Sequence, residues 1–445
     1  MNKSTGLVFF PAFDWSISPT HPEREERLLY TRDQIMEEGL LDFPNIKEYK
    51  AQLALKEDIL RTHFCLPAYE NVITEAHLIA AGSAIAIGKA WHEKEIFNGF
   101  ALVRPPGHHA LHITYGNRGF CNINNEAILV EFLRKKYEYR KIAIIDTDVH
   151  HGDGTQDIFY HDPDVLFVSF HQDGRTLFPG SGFINELGGP NAFGTTLNIP
   201  LPPGVGDNSL MYIIDKLILP VLKDFEPEII INSAGQDNHF TDPLANMNVT
   251  AQGYARLTEK LNPDILVLEG GYAVETALPY VNLAIILALA GKDFTGVIEP
   301  QLGNKKLIES KDIMKYCETI TSKLLSIWEK KKEINLDELF GKEKFYTRKK
   351  KIFYDTEYFT EEQEETVRRC TDCGGLIKYI SYLKDNRKSP KSLCISIPIY
   401  SCPDCQKAGE DLFYSECNKD NFQQIFLQHK PKDLYLSKDD FHGEY

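Results

Sequence analysis

No stretch of this 445-residue sequence is apolar for long enough to cross a bilayer: the most apolar later run, Val281 to Ala290, is about ten residues where a span needs roughly 20. That run reads as a buried helix. Positive charge is in deficit too, with 49 Lys and Arg against 64 Asp and Glu. The net charge of -15 disfavours nonspecific nucleic-acid binding, while an acidic surface tolerates basic protein tails or polyamines as substrates. Met1 to Phe13 carries one early Lys and a short apolar patch, but Pro11, Asp14 and Trp15 follow without a small-residue cleavage pattern, so no secretory signal is expected. Tryptophan is scarce, at three. The 26 Phe and 21 Tyr nevertheless argue against global disorder.

Nine cysteines are present, two pairs of them spaced CxxC. Without a signal peptide, they favour a reducing compartment and metal ligation over a disulfide framework, and the expected location is cytoplasmic, with no membrane association. The length exceeds what one core usually supports, so one large and one small domain are expected.

The central stretch is Ile142 to Gly154. Ile142, Ile144 and Ile145 around Ala143 suit a parallel strand covered on both faces, and the run stops abruptly at Asp146, Asp148, His150, His151 and Asp153. Asp148 and His150 are spaced i, i+2, so in an extended conformation both point to one side and could hold a zinc-like ion. A strand end with Asp and His is also compatible with a capped turn alone.

Other strand candidates end in the same chemistry. Phe100 to Val103 runs into Arg104-Pro-Pro-Gly107-His108-His109, where two prolines and a glycine fix a turn presenting adjacent histidines. Val165 to Phe170 is followed by a glycine-rich loop through Phe178-Pro179-Gly180. Ile229 to Asn232 leads into Ser233-Ala-Gly235-Gln-Asp237, with Asp242 five residues on, and Ile265 to Leu268 ends in Glu269-Gly-Gly271-Tyr272. Helical stretches intervene over 71–91 and 126–137, and a further one follows the charged start at His21 to Arg27. Cys121 reads as packing. Strands alternating with helices imply an α/β fold with a doubly wound parallel sheet, whose ligands sit beyond the strand carboxyl ends.

Taken together, Arg104-Pro-Pro-Gly-His-His-Ala110, Asp146 to Gly154, Ser233 to Asp237 with Asp242-Pro-Leu244, and Leu268 to Tyr272 resemble the histone deacetylase and acetylpolyamine amidohydrolase superfamily. The wording is most similar to the class II branch, and the likeness covers roughly residues 5 to 330. It implies an arginase/deacetylase-like sheet with Asp148, His150 and Asp237 as ligands of a catalytic zinc. It further implies His108 and His109 as tandem histidines paired with Asp146 and Asp153, and Tyr272 as oxyanion donor. A potassium ion would use Asp146, Ser169 and backbone carbonyls including that of Phe170. Phe120 and Phe178 would wall an acyl-lysine tunnel, with Leu244 at its rim, Gly271 at the substrate and Arg27 near an internal cavity. Gln236, Glu25 and Ala273 depart from the usual pattern.

The chemistry this implies is hydrolysis of an acyl-amide. A zinc held by two carboxylates and one imidazole has its charge largely neutralised, so a general base is needed, and His109 oriented by Asp153 is the expected one. The expected substrates are acetylated protein lysines. Acetylpolyamines are the rival substrates, and a catalytically idle acyl-lysine binding protein is the alternative of another class. The same ligands accept iron(II).

Beyond about residue 330 the composition shifts. Residues 331–360 read as a charged linker or helix, with Arg348 to Lys351 the densest basic run. Cys370-Thr-Asp-Cys373 and Cys402-Pro-Asp-Cys405 then lie 28 residues apart with the β-prone Leu393 to Ile399 between them, so 361–445 is expected to be a four-cysteine zinc-ribbon-like domain with a closed, structural zinc. Cys394 and Cys417 are spare. Substrate docking, oligomer contacts and occlusion of the tunnel are all open roles for this module.

Overall fold

The computed structural model describes residues 4–304, 307–384 and 390–442, so the outermost residues of the expected domains lie outside it. Eight parallel strands form the large sheet: β1 (Thr5–Phe10), β2 (Ile46–Tyr49), β3 (Asn98–Val103), β4 (Ile142–Asp146), β5 (Val165–Gln172), β6 (Thr196–Leu201), β7 (Ile229–Ala234) and β8 (Ile265–Leu268). Their order is β2-β1-β3-β8-β7-β4-β5-β6.

Alternation within the central strands feeds two cores. Ile142 and Ile144 of β4 join Ile265 and Val267 of β8 beneath helices α1 (Glu75–His92) and α2 (Asn125–Tyr137). Ala143, Ile145, Leu266 and Leu268 face the opposite layer, where α3 (Ala251–Leu261), α4 (Leu278–Leu289) and α5 (Lys311–Lys330) pack. Both faces are covered, which is why these strands read as unbroken apolar runs. The run around Val281 is indeed a buried helix, α4, with Pro279 in its first turn. α2 starts where Asn124 caps it, its side chain accepting from the Ala127 amide at 2.8 Å.

The second sheet is mixed and six-stranded: β9 (Phe345–Tyr354), β10 (Phe359–Arg368), β11 (Ile377–Leu383), β12 (Ser392–Ile397), β13 (Gln424–His429) and β14 (Leu434–Ser437), adjacent in that order. Only β12 and β13 run parallel, joined by α6 (Pro403–Cys417). Of 331–360, read as a charged linker or helix, Lys331–Glu333 and Leu336–Phe340 are short helices, but the reading is corrected beyond them: residues 345–354 form a ten-residue strand paired along its whole length with β10. The sequence hid it because the inward side chains of this hairpin are charged. Glu361, Gln363 and Glu365 are buried, and Glu365 takes salt bridges from Arg348 at 2.6 Å and Lys350 at 2.8 Å.

The two units share a core. Phe64, Leu111, Ile113 and Tyr115 of the first pack with Ile352, Tyr354, Ile377 and Tyr379 of the second. Beside it, Lys350 also binds Asp157, His161 meets Glu365 at 2.6 Å, and His112 bridges the Tyr379 hydroxyl and Gln428, each at 3.0 Å.

Candidate active site

The carboxyl edge of the large sheet gathers the residues the sequence singled out. β4 ends at Asp146, and the chain then bends so that the His150 amide donates to Asp148 Oδ1 at 2.8 Å. The i, i+2 pair therefore converges through a bend closed on the aspartate, rather than through an extended pleat. The His150 ring turns back as well, placing Nδ1 3.0 Å from Asp148 Oδ1 and 3.2 Å from Asp237 Oδ2. Asp237, just past β7, is anchored by the Val149 amide on Oδ1 at 3.0 Å.

These three side chains fit a metal. Their ligand atoms lie within 4.8 Å of one another, and the fully buried Asp237 Oδ2 has the His150 ring nitrogen, itself a candidate ligand atom, at 3.2 Å but no hydrogen bond of good geometry among the described residues. A buried carboxylate oxygen without a donor is costly unless a cation meets it. Two carboxylates and one imidazole are a borderline-hard donor set suited to zinc. Gly270 leaves the room required: a Cβ there would run into the carboxylates of both Asp237 and Asp148, and its amide instead donates to Asp148 Oδ2 at 2.7 Å.

Beside this cluster stand the tandem histidines. His108 Nδ1 lies 3.1 Å from Asp146 Oδ2, and His109 Nδ1 lies 2.8 Å from Asp153 Oδ1. Burial disfavours charge on His108, but Asp148 and Asp146 outweigh it and hold that imidazole well above its ordinary value. His109 is held low, at about 3, by burial and by charge on His108. The neighbouring carboxylates thus push His108 and burial pushes His109 in opposite directions. Glu269 fixes the turn that carries them, accepting the amides of Gly107 at 2.7 Å and His108 at 2.9 Å. The sequence placed Glu269 at the site's edge without this role.

Tyr272 closes the far side. Burial pushes its hydroxyl well above the usual phenol range, and the charge of Asp237 acts in the same direction, so it stays a hydrogen-bond donor. Asp242 accepts its amide at 2.7 Å and the amide of Leu244 at 2.9 Å, tying the half-buried Leu244 to the tyrosine. Arg27 donates to the Gly271 carbonyl at 2.7 Å, lies 5.1 Å from the Tyr272 ring centre, and is braced by Glu23, which also holds Arg104.

Phe120 and Phe178 flank the approach. The Phe120 ring meets Tyr272 edge to face at 5.4 Å and adopts a left-handed backbone (φ 70°), a strained conformation for a bulky residue. Phe178 packs against His109 at 5.0 Å. Asp146 and Ser169 are lateral neighbours on β4 and β5, next to Phe170, although the Ser169 hydroxyl bonds His171 at 2.8 Å. Gln236 is buried and donates to Asn282 at 2.6 Å, so that departure is absorbed by α4. Cys121 is fully buried, its thiol pushed well up by desolvation, as a packing residue would be.

In the second unit, Cys370, Cys373, Cys402 and Cys405 form another group with all four sulfurs within 4.8 Å of one another. The Gly375 amide donates to Cys373 at 3.3 Å and Arg368 to Cys405 at 3.2 Å, contacts that favour thiolates. The cluster fits the expected zinc ribbon, set at one end of a larger sheet than the sequence suggested.

Fold and site define an α/β protein whose large parallel sheet carries, at one edge, a carboxylate–imidazole cluster fit to hold a metal, tandem histidines and a buried tyrosine. The model of the histone deacetylase domain matches residues 65–288. A "Probable deacetylase" of Archaeoglobus fulgidus is 44% identical over 325 residues, covering 67% of this chain and 89% of that protein. The "Histone deacetylase-like amidohydrolase" of Pseudomonas aeruginosa is 36% identical over 222 residues, 48% of this chain and 57% of that one. The crystal structure of the HDA15 HD domain superposes with a TM-score of 0.63 at 27% identity, over 74% of this chain and 96% of that one. The chain belongs to the histone deacetylase family. No helix among the described residues is long and apolar enough to cross a membrane.

Proposed function

We propose that this chain is a zinc-dependent amidohydrolase that removes acetyl, or another acyl group, from lysine side chains of proteins. The observation that carries the reading is the gathering of the Asp148–His150–Asp237 cluster, the His109–Asp153 pair and Tyr272 at one edge of the sheet. Asp148, His150 and Asp237 would hold the zinc, which supplies Lewis-acid polarisation of the acyl carbonyl and of the attacking water.

The chain's own groups then divide the work. The neutral His109 imidazole takes the proton from water, and Asp153 stabilises the imidazolium that results. The same ring returns a proton to the departing lysine amine. His108, paired with Asp146, tunes the field beside the carbonyl. The Tyr272 hydroxyl donates to the oxyanion, an interaction stronger in the transition state than in the ground state. Phe120 and Phe178 suit the apolar stem of a lysine whose amide is neutral, and Leu244 presents no carboxylate to attract a polyamine ammonium.

A potassium ion held by Asp146, Ser169 and the Phe170 carbonyl remains part of the proposal, as does a structural zinc on the four cysteines and a cytoplasmic location. The deciding experiment measures acetate release from an acetyl-lysine peptide panel and, in parallel, from acetylated putrescine and spermidine. Turnover of peptides with silent polyamines supports the reading. Turnover of polyamines alone moves the function to polyamine metabolism.

A further inference from the structure

Arg118 is an arginine with almost no solvent, on the short loop between the tandem histidines and α2. Its neighbours are not those of a surface ion pair. Nη2 lies 2.6 Å from Asp153 Oδ2, while the other oxygen of that carboxylate, Oδ1, bonds His109. The two oxygens of Asp153 are thus shared between the imidazole and the guanidinium. Nη1 reaches the backbone carbonyl of His109 at 3.4 Å, and the guanidinium lies 5.2 Å from the centre of the Phe178 ring. One side chain therefore touches the carboxylate, the backbone of the histidine it orients and the aromatic that packs on that histidine.

What holds Arg118 comes from the other unit. Its Nε donates to the carbonyl of Phe353, on β9, at 3.1 Å. The next residue is tied to the same hairpin, since the Gly119 amide donates to Asp355 at 2.9 Å, and Thr356 donates to Asn117 at 2.7 Å. The turn between β9 and β10 thereby clasps residues 117–119, immediately before Phe120.

We propose that Arg118 is a positioning residue for the His109–Asp153 pair, and that the C-terminal unit contributes to the active site by fixing Arg118 through the Phe353 carbonyl. The physical case is geometric. A carboxylate bonded on one oxygen only is free to rotate about its last torsion, and an imidazole bonded to it rotates with it. Pinning Oδ2 with a rigid, permanently charged fork removes that freedom. The role rests on the general-base reading of His109, so its test needs one measurement that requires no turnover.

The experiment uses the full-length, metal-loaded chain with histidine ring nitrogens labelled, comparing wild type with Arg118→Ala and Arg118→Lys, the second guarding against simple misfolding. A His109 Nδ1 proton that exchanges slowly with water is expected in wild type, assigned by its loss in His109→Ala. It should broaden away in Arg118→Ala and be partly retained in Arg118→Lys, whose single ammonium can meet Asp153 but cannot also hold the Phe353 carbonyl. In the acetate-release assay, Arg118→Ala should lose about 10- to 100-fold in kcat, the range for groups that orient active-site ligands, with KM little changed. Millimolar guanidinium chloride should restore part of that loss where sodium chloride does not. An unaltered His109 proton in Arg118→Ala overturns the proposal, as does a loss confined to KM or unmoved by guanidinium. A wild type that turns over no acyl substrate while the proton still responds to Arg118→Ala sinks the deacetylase reading and leaves the positioning role standing.

Discussion

Asp242 holds Tyr272 in place from 30 residues away in sequence, its carboxylate accepting the tyrosine's backbone amide at 2.7 Å while its other oxygen takes the amide of Leu244. The backbone that carries the proposed oxyanion donor is thus anchored by a buried acid. Removal of the hydroxyl in Tyr272→Phe should cost about 10²- to 10³-fold in kcat, as for loss of one oxyanion donor. Asp242→Ala, which keeps the hydroxyl and frees the backbone, should cost about 10- to 100-fold. Metal content should be unchanged in Tyr272→Phe; full turnover in that variant refutes its role.

The four-cysteine cluster predicts a second metal equivalent. Elemental analysis of the wild type should find two zinc ions per chain, and Cys402→Ser or Cys373→Ser should reduce this to one while leaving the Asp148 site filled. The C-terminal sheet should melt at lower temperature, because metal binding energy is folding energy in such clusters. A wild type with a single equivalent speaks against the structural zinc.

The buried charges between the units predict a large mutational cost. Lys350 faces Asp157 and Glu365, and Lys350→Met would leave Asp157 in the interface without its cation, while Glu365 keeps Arg348 and His161. Breaking a buried pair by removing one partner typically costs about 3–5 kcal/mol. Chemical denaturation should register that loss, against less than about 1 kcal/mol for the exposed Lys349→Met.

Acid should weaken the fold through buried neutral histidines. His63 donates from Nδ1 to the Leu111 carbonyl at 2.8 Å and accepts the Asn124 amide on Nε2 at 2.9 Å, so both nitrogens are committed to the neutral ring. Burial lowers its folded-state value to about 4, and that of His77 to about 3. The unfolded chain binds protons first, near pH 6.5, so stability is highest above that value and falls as pH drops toward 4. For His63 alone the change approaches about 3 kcal/mol if the whole shift is realised. Thermal midpoints measured from pH 7 to pH 4 should decline, and His63→Gln should flatten part of the decline.

Much of this site was legible in the chain. Ile265 to Leu268 and the β4 run read as strands because parallel strands buried on both faces need apolar residues at every position. The tandem histidines, Asp148, His150, Asp237 and Tyr272 stood out because polar groups clustered after such runs have few roles other than at a strand-end site. The charged hairpin of β9 and β10 was missed for the converse reason. Its inward face mixes the buried Ile352, Tyr354 and Val367 with the buried Glu361, Gln363 and Glu365, the last met by the half-buried Arg348 and Lys350, and polar residues at these alternate positions interrupt the hydrophobic signal.

The sequence by itself determined the fold class, the ligand types and the four-cysteine cluster, since these follow from local patterns of residue type and spacing. Only the tertiary structure decided which donors each group meets: that Glu269 holds the histidine turn, that Asp242 anchors the Tyr272 backbone, and that Arg118 joins Asp153 to Phe353 of the other unit. The physical reason is range. Strand and helix periodicity are set by neighbours a few residues apart, whereas a hydrogen bond between residues 118 and 353 depends on how two separately patterned units pack, and no local pattern encodes that.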